Sequence, residues 1–333
     1  MSLTLAIIYL ILGCALMIFG GEILVRGAVR LAALFKIPPL IVGLTIVAIC
    51  TSAPELAVSL TGIFSDSKAG ADIALGNVVG SNSFNILFIL GLTALSAPLA
   101  VSSSLIKKEI PILIAISAFT WLFCLVGGAT PTFPRWGGIV FISLLIAYFT
   151  WVILSISSGG GKYAQEVEAG IKPTTGGIFQ RAIMPVVMIA VGLALLVFGS
   201  GRCVEGAVAI AQYCHVSELT ISLTVLAAGT SLPELVVSII AAVRKQTDIA
   251  VGNVIGSSIF NLLGILGLSA LCAGDLPVSR QAFIFDIPVM FTATVVTALF
   301  CITGFRLCRK EGAVLLLGYI AYVIALLTVV HKI

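Results

Sequence analysis

Apolar runs of helix length recur along the whole chain, with short polar stretches between them. A helix needs about 20 apolar residues to cross a bilayer core, whereas a membrane barrel would show alternating segments of about 10 residues. The pattern therefore predicts an all-α polytopic membrane protein with ten transmembrane helices. The ten predicted spans are 4–25, 38–64, 70–97, 104–126, 134–157, 182–204, 217–243, 247–273, 280–303 and 312–330.

Composition agrees with a membrane protein. Of the 333 residues, 60% are apolar and 10% are charged, against about 25% charged in soluble domains. The net charge of +4 does not indicate a nucleic-acid partner, because the cations are scattered between the apolar runs. With two histidines and no paired-cysteine motif, a zinc site or a Ser-His-Asp triad has almost no material. We expect no enzyme activity, no cofactor and no protein partner, only the surrounding lipid bilayer.

The two halves of the chain repeat each other. The segment TSAPE at 51–55 returns as TSLPE at 230–234, which is 179 positions later, and the segment 72–85 returns at 248–261. Each copy holds five predicted helices, and an odd number forces the second copy into the opposite topology. Inverted repeats with a site near the bilayer midplane are typical of secondary transporters.

The repeat divides the chain into three parts: a first five-helix copy at 1–157, a linker at 158–181 and a second five-helix copy at 182–333. Orientation follows from Lys and Arg, which are enriched on the cytoplasmic side. If the connections after odd-numbered helices share one side, that side carries 13 of the 18 cations and the other carries 5. This places the linker in the cytoplasm and both termini outside.

The repeated segment puts a carboxylate in the middle of an apolar helix, at Glu55 and again at Glu234. An ionisable group at membrane depth costs ~2.5 kcal/mol or more and indicates a functional site by default. Helices 2, 3, 7 and 8 contain no Lys or Arg that could pair with it. The preceding proline removes a helical N–H, which frees carbonyl oxygens at 48–51 and 227–230. Hard cations such as Na⁺ and Ca²⁺ prefer such oxygen ligands.

Two polar stripes accompany these carboxylates. Residues four apart share one face of a helix, and amide and hydroxyl oxygens can coordinate a cation without adding charge. The stripes are Asn77, Ser81 and Asn85 on helix 3, and Asn253, Ser257 and Asn261 on helix 8.

Some of these polar residues have purely structural interpretations. Asn77 and Asn253 can simply bridge two helices. Glu109 and Asp286 each precede Ile-Pro at a helix start, and we interpret them as ordinary caps.

The paired segments 51–85 and 230–261 resemble the two α-repeats of the Na⁺/Ca²⁺ exchanger (cation/Ca²⁺ antiporter) superfamily, and the chain looks most like its short, YrbG-like prokaryotic branch. The resemblance extends over all ten predicted helices. It implies that Glu55 and Glu234 are the central Ca²⁺ ligands, together with the backbone carbonyls of Thr51 and Thr230.

The resemblance also implies two Na⁺ sites. One would join Ser52, Ser257 and the Ala48 carbonyl, the other Ser231, Ser81 and the Ala227 carbonyl, with Asn85 and Asn261 lining the middle. Asn261 stands where many exchangers carry Asp, so this site has two carboxylates. Two negative charges balance one Ca²⁺ or two Na⁺, and the exchange stoichiometry stays open.

We therefore expect an inner-membrane antiporter that works by alternating access and extrudes Ca²⁺ in exchange for Na⁺. The alternative on the same fold is exchange of H⁺ for Ca²⁺ or another divalent cation, because a buried carboxyl group can also carry a proton. A cation channel is a remote alternative. An intramembrane hydrolase using Ser52 would need a basic partner or a metal, and neither is found in the site segments.

Overall fold

The structure is a computed structural model that describes residues 1–64, 70–126, 130–168, 183–214 and 227–328. For 70–73, 156–168 and 227 it describes the backbone only.

Helices account for most of the described residues. In the first half of the chain they are α1 (Leu3–Phe35), α2 (Pro39–Val42), α3 (Ala48–Thr51), α4 (Ala53–Phe64), α5 (Gly70–Ser83), α6 (Leu90–Ser96), α7 (Ser103–Lys107), α8 (Glu109–Val126) and α9 (Arg135–Glu168). In the second half they are α10 (Met184–Tyr213), α11 (Ala227–Gly229), α12 (Leu232–Val243), α13 (Thr247–Phe260), α14 (Gly267–Ala273), α15 (Ile287–Ile302) and α16 (Arg309–Thr328).

Shorter elements interrupt or join these helices. Four stretches are π-helical, namely π1 (Gly43–Val47), π2 (Phe84–Ile89), π3 (Asn261–Leu266) and π4 (Ala282–Asp286). Four two-residue strands are β1 (Leu99–Ala100), β2 (Thr132–Phe133), β3 (Leu276–Pro277) and β4 (Arg306–Leu307).

The described ranges contain eight helices long and apolar enough to cross a membrane, or nine if the pair Pro39–Thr51 and Ala53–Phe64, broken at Ser52, is one span. The all-α polytopic membrane fold is thus confirmed. The predicted span 217–243 lies partly outside the described residues, so the number of ten helices stays a prediction. The predicted linker at 158–181 begins as helix, because α9 continues to Glu168, and its residues 169–181 are among those not described.

The two stretches that carry the polar stripes are the most buried spans. Within its most apolar 18 residues, Ala74–Ser96 is 78% buried and Thr247–Ala273 is 83% buried, against 11–39% for the other six long helices. Five of the six stripe residues are buried and Asn77 is partly exposed. The other long helices present more of their surface to the surroundings.

Contacts group the chain into two units, 1–51 with 148–253 and 52–147 with 254–333, and each unit contains parts of both copies. In the first unit α1 packs along α10. A Cβ on Gly13 would lie 2.7 Å from the Gly199 carbonyl oxygen, and one on Gly20 would lie 2.7 Å from the Gly192 carbonyl oxygen. Glycine thus permits a close antiparallel contact. Because α1 and α10 are equivalent helices of the repeat, this contact agrees with inverted topology.

In the second unit, short strands of the first copy pair with short strands of the second copy. Strand β1 pairs antiparallel with β4, and β2 pairs antiparallel with β3. Glycine contacts follow the same rule. Gly91 of α6 approaches Gly312 of α16, and Gly138 of α9 approaches Gly267 of α14. Each pair takes one member from each copy, as expected for two similar halves related by an approximate two-fold axis.

Candidate cation-binding site

Ten of the twelve residues predicted for the site have buried side chains. They are Ala48, Thr51, Ser52, Glu55, Ser81, Asn85, Ser231, Glu234, Ser257 and Asn261. Thr230 is partly exposed, and only the backbone of Ala227 is described. Both glutamates are 0% exposed. Burying a carboxylate carries a large desolvation cost, which makes both positions candidates for a cation site.

In the first copy, the helix that carries Glu55 is broken just before Pro54. Helix α3 ends at Thr51, and α4 begins at Ala53. The Ala48 carbonyl accepts a hydrogen bond from the Thr51 hydroxyl at 3.3 Å. Irregular backbone at membrane depth is tolerated where it is buried in protein or lines a cavity; Thr51 and Ser52 at the break are buried, whereas Ala53 after it is exposed. The helix break thus lies two residues before Pro54, and the freeing of the carbonyls at 48–51 stays a prediction.

The second copy is broken at the equivalent place. Helix α11 ends at Gly229 and α12 begins at Leu232, so Thr230 and Ser231 lie between them. The Ser231 N–H donates to the Ala228 carbonyl at 3.2 Å, a bond to the third preceding residue that tightens the turn. Glu234 then lies in the first turn of α12.

An asparagine holds the backbone next to the first carboxylate. Within the second unit, Asn77 Nδ2 donates to the backbone carbonyl of Glu55 at 3.0 Å and to the Ser59 hydroxyl at 2.9 Å. Asn77 therefore ties α5 to α4, and the interpretation as a helix bridge is confirmed.

Asn253 does the same for the second carboxylate, within the first unit. Its Nδ2 donates to the backbone carbonyl of Glu234 at 3.3 Å and to the Ser238 hydroxyl at 3.0 Å. Its Oδ1 also accepts a hydrogen bond from the Thr51 hydroxyl at 3.1 Å. The two asparagines thus bond the backbone carbonyls of the glutamates and not their carboxylates.

Asn85 and Asn261 are equivalent in the repeat and lie in π2 and π3. Asn261 Nδ2 donates to the Ser81 hydroxyl and to Asn82 Oδ1, both at 3.1 Å. Neither polar atom of Asn85 has a hydrogen-bond partner within the part of the chain that the structure describes, although the side chain is 0% exposed. A buried amide with unused polar atoms is suited to a polar or ionic ligand.

Asn82 is a polar residue that sequence reasoning missed. It is 1% exposed, and its Nδ2 donates to the Ser258 carbonyl at 3.1 Å. It lies one residue after Ser81, off the stripe of residues four apart. The signal that could have found it is the dense polar run SNSFN at 81–85.

The two residues interpreted as caps differ from each other. Glu109 lies in the first turn of α8, as predicted, and is 4% exposed. Asp286 precedes α15 but its side chain makes no capping hydrogen bond, so this interpretation is wrong. Its carboxylate accepts hydrogen bonds from the Tyr322 hydroxyl at 3.0 Å and Gln281 Nε2 at 3.4 Å, and these side-chain donors replace the backbone amides of the helix start.

Among the described residues, no three His, Cys, Asp or Glu side chains come together as a metal site. A cation held by the predicted residues would take most of its ligands from hydroxyl, amide and carbonyl oxygens. Such neutral ligands suit hard cations that are bound and released rather than a permanently held transition metal.

The model of the family described as sodium/calcium exchanger protein matches residues 5–154 and 184–328. The chain belongs to this family. The family consists of membrane antiporters and not of enzymes, so the predicted superfamily and transporter class are confirmed.

Individual members of the sodium/calcium exchanger family resemble the chain over nearly its whole length. Inner membrane protein YrbG of Escherichia coli (strain K12) is 35% identical over 303 residues, with 89% of each chain covered. Sodium/calcium exchanger MaX1 of Methanosarcina acetivorans is 30% identical over 353 residues, with 97% of this chain and 99% of MaX1 covered. A solved structure of the sodium-calcium exchanger NCX_Mj, soaked with 10 mM Na⁺ and 10 mM Sr²⁺, has a TM-score of 0.79 at 28% identity, covering 98% of this chain and 99% of NCX_Mj. The YrbG-like prokaryotic branch is thereby confirmed.

Proposed function

We propose that this antiporter extrudes Ca²⁺ across a cell inner membrane, driven by the inward flow of Na⁺. One observation carries the proposal: Glu55 and Glu234 are both fully buried, each at an equivalent helix break and each next to an asparagine that fixes its backbone. Membership of the exchanger family agrees with this choice of ions, and the sodium/calcium exchanger MaX1 and the inner membrane protein YrbG are similar over most of the chain.

The proposed Ca²⁺ ligands are the carboxylates of Glu55 and Glu234 and the backbone carbonyls of Thr51 and Thr230. Oxygen ligands of this kind suit Ca²⁺. The proposed Na⁺ ligands are Ser52, Ser257 and the Ala48 carbonyl for one ion, and Ser231, Ser81 and the Ala227 carbonyl for another, with Asn85 and Asn261 beside them.

Charge balance explains why the two ions would exchange. Two carboxylates are neutralised by one Ca²⁺ or by two Na⁺, whereas the empty site would leave two buried negative charges, which is strongly unfavourable. We propose that only a neutralised site permits the change between inward and outward access. In this proposal α1 and α10 move together, because their close glycine contacts join them into one body.

We further propose ten spans in two inverted five-helix copies, with the linker 158–181 in the cytoplasm and both termini outside. Support comes from the antiparallel packing of the equivalent helices α1 and α10 and from the bias of Lys and Arg toward one set of connections.

Isotope flux in proteoliposomes tests the choice of driving ion. Vesicles loaded with Na⁺ and diluted into Na⁺-free buffer should accumulate ⁴⁵Ca²⁺, while a K⁺ gradient or a pH gradient alone should not drive uptake. Uptake driven by a pH gradient without Na⁺ would replace this proposal by H⁺/Ca²⁺ exchange. Ca²⁺ entry that needs no counter-ion would indicate a channel.

Neutral variants of the two carboxylates test the site. Glu55→Gln and Glu234→Gln should each reduce Na⁺-driven ⁴⁵Ca²⁺ uptake by more than ~100-fold, beyond the range of about 10–100-fold typical when only an outer-shell residue is changed. Glu109→Gln is the matched control, since Glu109 is also a buried carboxylate in an apolar helix but lies outside the proposed site. Normal uptake by either site variant, or an equal loss in the control, would contradict the assignment.

A further inference from the structure

A chain of directed hydrogen bonds fixes the amide of Asn261 in the second unit. It starts at the Ser258 backbone carbonyl, which can only accept. Asn82 must therefore turn its Nδ2 toward that carbonyl, at 3.1 Å. This leaves Asn82 Oδ1 facing Asn261, whose Nδ2 donates to it at 3.1 Å. The direction of the whole chain is set by a main-chain group that cannot reverse.

The Ser81 hydroxyl also accepts from Asn261 Nδ2, at 3.1 Å, but it cannot set the direction alone. A hydroxyl can both donate and accept, so its chemistry alone does not determine which way the Asn261 amide points. Asn82 is the neighbour that distinguishes the two orientations.

As a result, both N–H groups of Asn261 are used and its oxygen is left over. Within the described residues Asn261 Oδ1 has no hydrogen-bond partner, and the side chain is 0% exposed. A buried carbonyl oxygen without a hydrogen-bond partner can coordinate a cation. If the Asn261 amide were reversed, its two N–H groups would take the place of this oxygen and repel a cation.

We propose that Asn82 is a positioning residue that keeps the oxygen of Asn261, and not its amino group, available to the transported cation. The inference rests on the proposed function, because it needs a cation to be bound beside Asn261. It adds a residue outside the predicted ligand set, and it makes cation affinity depend on a side chain that need not touch the ion.

Cation binding to the purified protein tests this inference directly. Asn82→Ala should weaken Ca²⁺ binding, measured by titration calorimetry in Na⁺-free buffer, by about 10–100-fold, as is typical for loss of an outer-shell partner. Ser83→Ala is the matched control on the same helix turn, since the Ser83 hydroxyl is buried and has no hydrogen-bond partner in the described part of the chain. Its affinity should equal that of the wild type.

A second background separates positioning from packing. A carboxylate has an oxygen on each side, so Asn261→Asp does not need to be oriented. In this background Asn82→Ala should leave Ca²⁺ affinity unchanged or raise it, because Asn82 Oδ1 would otherwise face another acceptor. If Asn82→Ala cannot be purified in a folded state, Asn82→Ser takes its place, since a hydroxyl at 82 also fails to fix the direction.

Each outcome decides the question. Wild-type affinity in the Asn82 variant, or the same loss in both backgrounds, would overturn the role of Asn82 while leaving the proposed function intact. A wild-type protein that binds neither Ca²⁺ nor Na⁺ would overturn the proposed function and this inference together.

Discussion

The two copies of the repeat secure their buried carboxylates with the same device. Asn77 donates to the Glu55 carbonyl, and Asn253 donates to the Glu234 carbonyl. Each asparagine also bonds the serine one turn further along the same helix, at 2.9 and 3.0 Å. The hydrogen bonds that tie the glutamate-bearing helix to the asparagine-bearing helix are therefore present in both copies.

The amides eight residues further on are different. Asn261 donates two hydrogen bonds, whereas Asn85 makes none with the described residues. One sequence difference bears on the Asn82 bond, since Asn82 of the first copy corresponds to Ser258 of the second. Asn82 reaches across to Asn261, but the shorter Ser258 side chain bonds the Val254 carbonyl of its own helix at 2.9 Å.

Equivalent positions in the two copies therefore differ in their hydrogen bonding. Asn261 is held in one orientation, whereas Asn85 has no hydrogen-bond partner in the described part of the chain that would fix the orientation of its amide. The two proposed Na⁺ sites, which the sequence makes symmetrical, should therefore differ in affinity.

Replacing each amide by a leucine of similar size should give the largest difference between Asn85 and Asn261. Asn85→Leu removes two buried polar atoms that have no partner among the described residues, so the free energy of unfolding should rise by about 1–3 kcal/mol. Asn261→Leu removes two hydrogen bonds and strands their acceptors, which outweighs the removal of its own unpartnered Oδ1, so the free energy of unfolding should fall by about 1 kcal/mol. Denaturant unfolding in one detergent without Ca²⁺ measures both.

Transport gives the control for this pair. Both variants should lose Ca²⁺ uptake, because both amides are proposed to lie beside the ions. Only Asn85→Leu should therefore combine a higher free energy of unfolding with lower uptake. Stability changes of the same sign in the two variants would show that the two amides are equivalent after all.

A smaller difference is expected between Asn77 and Asn253, which make equivalent hydrogen bonds in the two copies. Asn253 makes one more hydrogen bond than Asn77, with the Thr51 hydroxyl. Asn253→Ala should therefore lower the free energy of unfolding more than Asn77→Ala, by about 0.6 kcal/mol for the extra bond, the average value for such bonds inside a membrane protein. An equal or larger cost for Asn77→Ala would mean that the extra bond contributes nothing to stability.

Much of this arrangement could be predicted from the sequence. Apolar run length predicts the membrane fold, and the offset between copies finds the paired glutamates and the asparagines that bridge helices. These features depend on local periodicity, which a sequence shows directly. The burial of Glu55 and Glu234 agrees with their place in the middle of apolar runs.

Other features depend on which side chains meet across a helix contact, and spacing does not show this. Asn82 follows Ser81 directly and so lies about 100° around the helix from the stripe, yet it reaches Ser258 on another helix. The partner of Asp286 is Tyr322, on a helix later in the chain. In both cases the distance between packed helices, and not the spacing along one of them, decides the bond.

The smallest expected effect concerns the two threonines of the repeated segment. The Thr51 hydroxyl donates toward Asn253 Oδ1 and the Ala48 carbonyl, whereas the Thr230 hydroxyl has no partner within the described ranges. Replacement by valine keeps the shape, so Thr51→Val should cost about 0.6 kcal/mol or slightly more of unfolding free energy, and Thr230→Val should cost nothing measurable.

The same pair distinguishes the hydroxyl of each threonine from its carbonyl. Thr51 and Thr230 are proposed to bind Ca²⁺ through their backbone carbonyls and not through their hydroxyls. Both valine variants should therefore keep the apparent Ca²⁺ affinity within about twofold, a change well under 1.4 kcal/mol. A tenfold loss of affinity in Thr230→Val, with no change in its stability, would show that the unbonded hydroxyl is itself a ligand. The Thr230 hydroxyl of the second copy would then bind the ion, whereas the Thr51 hydroxyl of the first copy bonds Asn253. The two copies would thus differ at the threonines as well as at the asparagines.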